Sequence, residues 1–127
     1  MTKVAILGFG TVGSGVAEVL SKNSQGIARR SGGEIQVKYI LDVRDFPDSP
    51  FKDCFVKDFS IIENDPEVEV VVETIGGAKV ALEFTTRALK AGKSVVSSNK
   101  ELVATHGYEL LQLAKANGVS YLFEASV

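Results

Sequence analysis

Gly8, Gly10 and Gly13 are the first residues in this chain whose types and spacing could do chemistry. They follow the apolar run Val4-Ala5-Ile6-Leu7 and open an amphipathic stretch through Val12, Val16, Val19 and Leu20. A buried strand that turns into a helix through Gly-x-Gly-x-x-Gly is a setting for holding a dinucleotide pyrophosphate. Gly8 would permit the tight turn. Gly10 would leave bare backbone for a phosphate to approach, and Gly13 would let the helix lie close on the strand. The helix start adds unpaired N–H groups and the positive end of its dipole. Without a ligand, the same glycines make a plain tight turn.

Three further groups follow apolar runs in the same way. Asp42-Val43-Arg44-Asp45 falls where an adenosine ribose is read. A carboxylate there accepts from ribose hydroxyls and favours NAD, whereas an arginine meets a 2′-phosphate and favours NADP. Both types are present, Arg44 tips the reading modestly to NADP, and a solvated charged turn would look the same. Glu73-Thr74-Ile75-Gly76-Gly77 gives backbone that a ligand can approach, or simply a strand-to-helix turn. Ser97-Ser98-Asn99-Lys100 offers a lysine for a substrate carboxylate or a carbonyl undergoing reduction. It equally reads as a helix start, capped by Ser98 or Asn99, with Lys100 exposed. His106, the only histidine, falls within a helical stretch, and Cys54 has no activating neighbour in the sequence. No set of residues has zinc-ligand spacing.

The elements that must position these groups alternate. Strands are expected at about residues 3–8, 34–41, 68–74, 94–97 and 120–124. Helices are expected from Thr11 to Ser21 and on toward Arg30, then at 59–63, 79–91 and from about 100 to Ala116. The last of these is expected to break near Thr105-His106-Gly107, and a polar loop carrying Pro47 and Pro50 should fill 46–58. Strands alternating with helices over short loops predict an α/β fold of the Rossmann type, doubly wound, with a mainly parallel sheet and helices on both faces. Ligands in such sheets sit outside the carboxyl ends of the strands, where all four groups fall.

The 127 residues suit one domain. The 14 basic and 16 acidic residues give a net charge of −2, with no basic patch for nucleic acid and no apolar run long enough for a membrane helix. One cysteine excludes an internal disulfide, and a strand beginning by Lys3 leaves no room for a signal peptide, so a cytoplasmic setting is expected.

Taken together, the motifs resemble one family. Gly8-Phe9-Gly10-Thr11-Val12-Gly13-Ser14-Gly15-Val16 is similar to the opening of homoserine dehydrogenases. So are Glu73 to Gly77, Ala91-Gly92-Lys93-Ser94-Val95-Val96-Ser97-Ser98-Asn99-Lys100, and the ending Phe123-Glu124-Ala125-Ser126-Val127. Many dehydrogenases share part of the first motif, whereas the Asn-Lys motif and the ending are more specific.

The resemblance implies reversible hydride transfer between NADP or NAD and the homoserine/aspartate 4-semialdehyde pair, on the route to threonine and methionine. It implies that Phe9, Thr11 and Val12 turn backbone amides to phosphate and that Arg44 favours NADP. Thr74, Gly76 and Ser97 would flank the nicotinamide ribose. Lys100 would lie beside nicotinamide and substrate as a catalytic residue. Glu124 and Val127 would give carbonyls to a sodium ion whose remaining contributors follow residue 127.

Residues 1–127 would then be the NAD(P)-binding domain alone. The substrate and dimerisation domain would be absent, the fragment inactive by itself and the parent a homo-oligomer. Two other readings remain open, a related NAD(P)-dependent reductase and a dinucleotide-sensing module without chemistry.

Overall fold

The computed structural model describes residues 2–31 and 35–123. Six strands form one sheet: β1 (Thr2–Leu7), β2 (Ile35–Leu41), β3 (Phe55–Val56), β4 (Val68–Glu73), β5 (Ser94–Ser97) and β6 (Tyr121–Phe123). Their order is β3-β2-β1-β4-β5-β6, and every pairing is parallel. Among the described residues, four α-helices accompany them: α1 (Thr11–Ser31), α2 (Phe59–Glu63), α3 (Lys79–Lys90) and α4 (Lys100–Ala116). The chain runs from β1 to β2 on one side and returns to β4 on the other, so the direction of winding switches beside β1. That reversal opens the crevice in which α/β sheets bind ligands.

Alternation along β1 sorts its residues between two cores. Val4 and Ile6 join Ala17 of α1 and Ile40 of β2. Ala5 and Leu7 join Phe59, Leu89, Leu102 and Leu110 from α2, α3 and α4. The central strands are buried on both faces, as the near-continuous apolar runs of β1 and β4 require.

Two expectations differ from the structure. The proline-containing loop holds a single helical turn, Lys52–Cys54, and the short edge strand β3. Two residues carry no periodic signal, and Phe55 and Val56 join the sheet by pairing with Ile40 and Leu41. Helix α4 runs unbroken through Thr105-His106-Gly107. The Thr105 hydroxyl donates to the Glu101 carbonyl at 2.8 Å. Gly107 is buried, and a Cβ there would come within 3.3 Å of Val103, so close packing accounts for this glycine. The expected end of α1 at Gly32-Gly33 and the start of β2 at Glu34 lie outside the described residues. No described helix is long and apolar enough to cross a membrane.

Candidate functional site

The glycine turn is fixed from three directions. Gly8 has φ of +93°, a conformation that glycine adopts without strain. Its N–H donates to the Leu41 carbonyl at 2.7 Å, binding the turn to β2. Across the turn, the Thr74 hydroxyl lies 2.7 Å from the Leu7 carbonyl oxygen and 3.1 Å from that of Gly8. Gly13 sits so close beneath that a Cβ there would lie 1.9 Å from the Gly8 carbonyl oxygen. Above Gly10, by contrast, a Cβ would meet nothing within 4 Å. The first helical bond runs from Ser14 N–H to the Gly10 carbonyl at 2.9 Å. The amides of Thr11, Val12 and Gly13 precede it and have no partner within the helix.

This turn forms one wall of a cleft of about 380 Å³ at the carboxyl ends of β1, β2 and β4. Gly8, Phe9, Gly10, Arg44, Thr74 and Gly76 line it, so six of the expected site residues meet there. Ile75, Val80 and Phe84 give it an apolar side. Lys57 also lines it, a residue the sequence reading did not single out.

The β2 end of the cleft is charged and open. Asp42 accepts from the Phe9 N–H at 2.9 Å. It also accepts from the Arg44 backbone N–H at 2.9 Å and from the guanidinium at 3.1 and 2.9 Å. The Arg44 side chain beside it holds its carboxyl well below the usual carboxylate range. The Phe9 amide was expected to face phosphate. It serves Asp42 instead, because Asp42 stands directly beside the turn and its carboxylate is the nearest strong acceptor. Arg44 lies over the Phe46 ring, 5.2 Å from its centroid, and remains 59% exposed. Lys57 bonds the Val43 carbonyl at 3.0 Å and Asp45 at 2.7 Å. Beneath these cations, the rings of Phe9, Phe46 and Phe55 meet at 4.9–5.0 Å between centroids and hold the loop against the glycine turn.

The β4 and β5 end is organised around a buried acid and, among the described residues, carries no such ion pair. Glu73 is fully buried at the end of β4, and burial pushes its carboxyl above the usual range. It accepts from the Ile75 N–H at 2.7 Å and the Ser97 hydroxyl at 2.8 Å. Ser97 is itself fully buried, so its side chain faces Glu73 and is not among the groups lining the cleft. Asn99 caps α4 by accepting from the Leu102 N–H at 2.9 Å, and its amide donates to the carbonyls of Ile75 and Gly77. Lys100 follows as the first residue of α4, exposed and outside the residues lining the cleft.

The remaining candidates stand apart. Cys54 lies 3.6 Å from the Val37 carbonyl, and burial pushes its thiol up, away from the reactive thiolate. His106 lies in α4, its Nδ1 3.6 Å from Glu109. Glu124 and Val127, the expected sodium contributors, lie outside the described residues.

Comparison with known proteins matches this geometry to a family. The family model described as homoserine dehydrogenase, NAD binding domain, matches residues 8–124. The homoserine dehydrogenase of Pseudomonas aeruginosa is 43% identical over 127 residues, covering 98% of this chain and 29% of that protein. That of Corynebacterium glutamicum is 41% identical, covering 98% of this chain and 28% of its own length. A crystal structure of S. aureus homoserine dehydrogenase superposes with a TM-score of 0.90 at 36% identity, over 99% of this chain and 32% of that one. The Thiobacillus denitrificans enzyme superposes at 0.86, with 37% identity over 98% of this chain and 29% of that one. The chain therefore spans less than a third of the length of these relatives.

Proposed function

The chain belongs to the homoserine dehydrogenase NAD-binding domain family, and on that premise we propose that it binds NADP or NAD as the cofactor half of a homoserine dehydrogenase. One observation carries the reading. The tight contact of Gly13 on Gly8 aims free helix amides across open space above Gly10, at the mouth of the cleft. That is a cradle for a pyrophosphate, with the helix dipole behind it. The amides of Thr11 and Val12 hold phosphate, while Phe9 N–H holds Asp42 in place.

The adenosine half lies toward β2. Asp42 spends its lone pairs on Phe9 and Arg44, which leaves Arg44 and Lys57 as the groups meeting a 2′-phosphate and favours NADP. The nicotinamide half lies toward Thr74 and Gly76, with the buried Ser97 behind that end and Lys100 following at the start of α4. When bound, the cofactor accepts or gives a hydride at its nicotinamide ring. To the exposed Lys100 ammonium we assign the role of reaching the homoserine hydroxyl or the aspartate-semialdehyde carbonyl and stabilising charge on that oxygen. Glu124 and Val127 contribute carbonyls to a sodium site completed by residues outside this chain. The full-length enzyme is a cytoplasmic homo-oligomer.

Calorimetric titration with NADPH and NADH, alongside Arg44→Ala, tests the reading. NADPH should bind saturably, and Arg44→Ala should weaken it about tenfold while leaving NADH within about twofold. Equal loss for both cofactors would remove Arg44 from the choice between them. No binding of either by the intact chain would refute the proposal.

A further inference from the structure

With the nicotinamide half assigned to Gly76 and Lys100, as proposed above, one buried side chain between the two segments that carry them stands out. Glu73 is fully buried, and the groups hydrogen-bonded to its carboxylate are neutral. Burying an acid without a cation is costly, and an apolar residue would fill the same place in the core more cheaply. What the acid adds is a junction.

Its carboxylate takes the Ile75 N–H at 2.7 Å and the Ser97 hydroxyl at 2.8 Å. The Ser97 oxygen in turn accepts the Asn99 N–H at 3.1 Å. The Asn99 amide returns to the Ile75 carbonyl at 2.9 Å and to that of Gly77. The result is a closed ring of hydrogen bonds: Glu73, Ile75, Asn99, Ser97 and back to Glu73. The glycine loop after β4 lies on one side of this ring, and the first turn of α4, beginning at Lys100, lies on the other. The Glu73 carbonyl adds a second tie, accepting from the Ser98 N–H at 3.0 Å and the Ser98 hydroxyl at 3.2 Å.

We infer that Glu73 is a positioning residue for the nicotinamide half of the cofactor, its carboxylate setting the distance between the Gly76 loop and Lys100. It touches neither cofactor nor substrate. It acts by stopping the loop and the helix start from separating when the ring is gripped.

The test compares two ligands that differ only in the nicotinamide, 2′-phospho-ADP-ribose and NADPH, by calorimetry on the intact chain. The intact chain should bind NADPH more tightly than the fragment. Glu73→Ala should leave the fragment's affinity within about twofold and cut the NADPH advantage about tenfold, because two hydrogen bonds to a buried acceptor are lost. Glu73→Gln should restore most of it, since the amide oxygen can still take the Ile75 N–H and its NH₂ can donate to Ser97. Ser97→Ala, a smaller change that spares the carboxylate, should cut the advantage about threefold even if Glu73→Ala does not fold.

An unchanged advantage in Glu73→Ala or, if that variant does not fold, in Ser97→Ala would overturn the inference and leave cofactor binding standing. So would a fall in fragment affinity equal to that for NADPH. If the intact chain shows no NADPH advantage at all, the proposed placement of the nicotinamide fails first, and this inference fails with it.

Discussion

Two carboxylates stand at the ends of the strands that flank β1, and the structure drives them in opposite directions. Asp42, directly after β2, sits in a rim of exposed cations, and Arg44 holds it ionised. Glu73, the last residue of β4, sits among neutral donors, and burial raises it. Their strands pair with the same neighbour, yet one acid organises charge at the surface and the other organises hydrogen bonds in the core. The cleft is therefore built by two methods. Its β2 side uses ion pairs made by exposed cations, which salt weakens and which can exchange partners with an arriving phosphate. Its β4 side uses a closed ring of hydrogen bonds around a buried acid, and such a ring holds one geometry.

The largest expected effect tests what both sides share. Gly13→Ala places a methyl 1.9 Å from a backbone oxygen that cannot move without opening the turn. Urea unfolding should show a loss of about 3 kcal/mol or more, with cofactor binding abolished on both sides. Gly10→Ala has free space around its Cβ. Its stability should stay within about 0.5 kcal/mol of the parent while dinucleotide affinity falls at least about tenfold. Comparable destabilisation by the two variants would mean that the open space above Gly10 is not reserved for a ligand.

A smaller effect separates the two methods. Lys57→Ala should weaken NADPH about threefold at low salt and much less at about 0.5 M salt, because the contact is exposed. The Glu73→Ala loss of NADPH advantage should be nearly independent of salt. Equal salt dependence in both would erase the distinction drawn between the rims.

The smallest effect is in pH. Below the usual carboxylate value of about 4, an unfolded Asp42 holds a proton that the folded one lacks. Its contribution is therefore present above that value and lost as pH falls toward the depressed folded value. Glu73 has the reverse sign. Above the usual glutamate value of about 4.3, the folded chain keeps a proton that the unfolded chain has released, so stability declines as pH rises toward the raised folded value. Unfolding measured from pH 3 to 8 should show Asp42→Asn flattening the acid limb and Glu73→Gln flattening the decline above it. Asp65, also depressed, chiefly by its bond from Lys38, adds to the acid limb, so Asp42→Asn removes only a share.

The glycine turn was legible in sequence because each glycine answers a steric demand. So was the α/β alternation, because β1 and β4 are near-continuous apolar runs and α3 and α4 are followed by Gly92 and Gly118. The cap at Asn99 was readable as one of two options, and the structure selects it over Ser98. Three features could not be read. β3 is two residues long and exists only because β2 offers it an edge. Lys57 reaches the cleft through a loop whose path depends on how Phe9, Phe46 and Phe55 meet. Glu73, viewed in the chain, is an acid ending a valine-rich strand, which usually signals the return to solvent. Its burial depends on Ser97 arriving from β5 and on the following loop turning the Ile75 N–H back onto it, and no local pattern records that.

The brevity of β3 bears on how this chain behaves in a crowded solution. A sheet edge normally offers a row of unpaired backbone groups to any passing extended peptide. Here the outermost strand on that side is Phe55–Val56, bounded by a helical turn at Lys52–Cys54 and by α2, which begins at Phe59. A foreign strand would find two residues to pair with before the chain curls away, too few to seed a stack. Along β3 itself the sheet therefore offers almost no template for edge-on growth, since that strand pairs only with Ile40 and Leu41 and ends there.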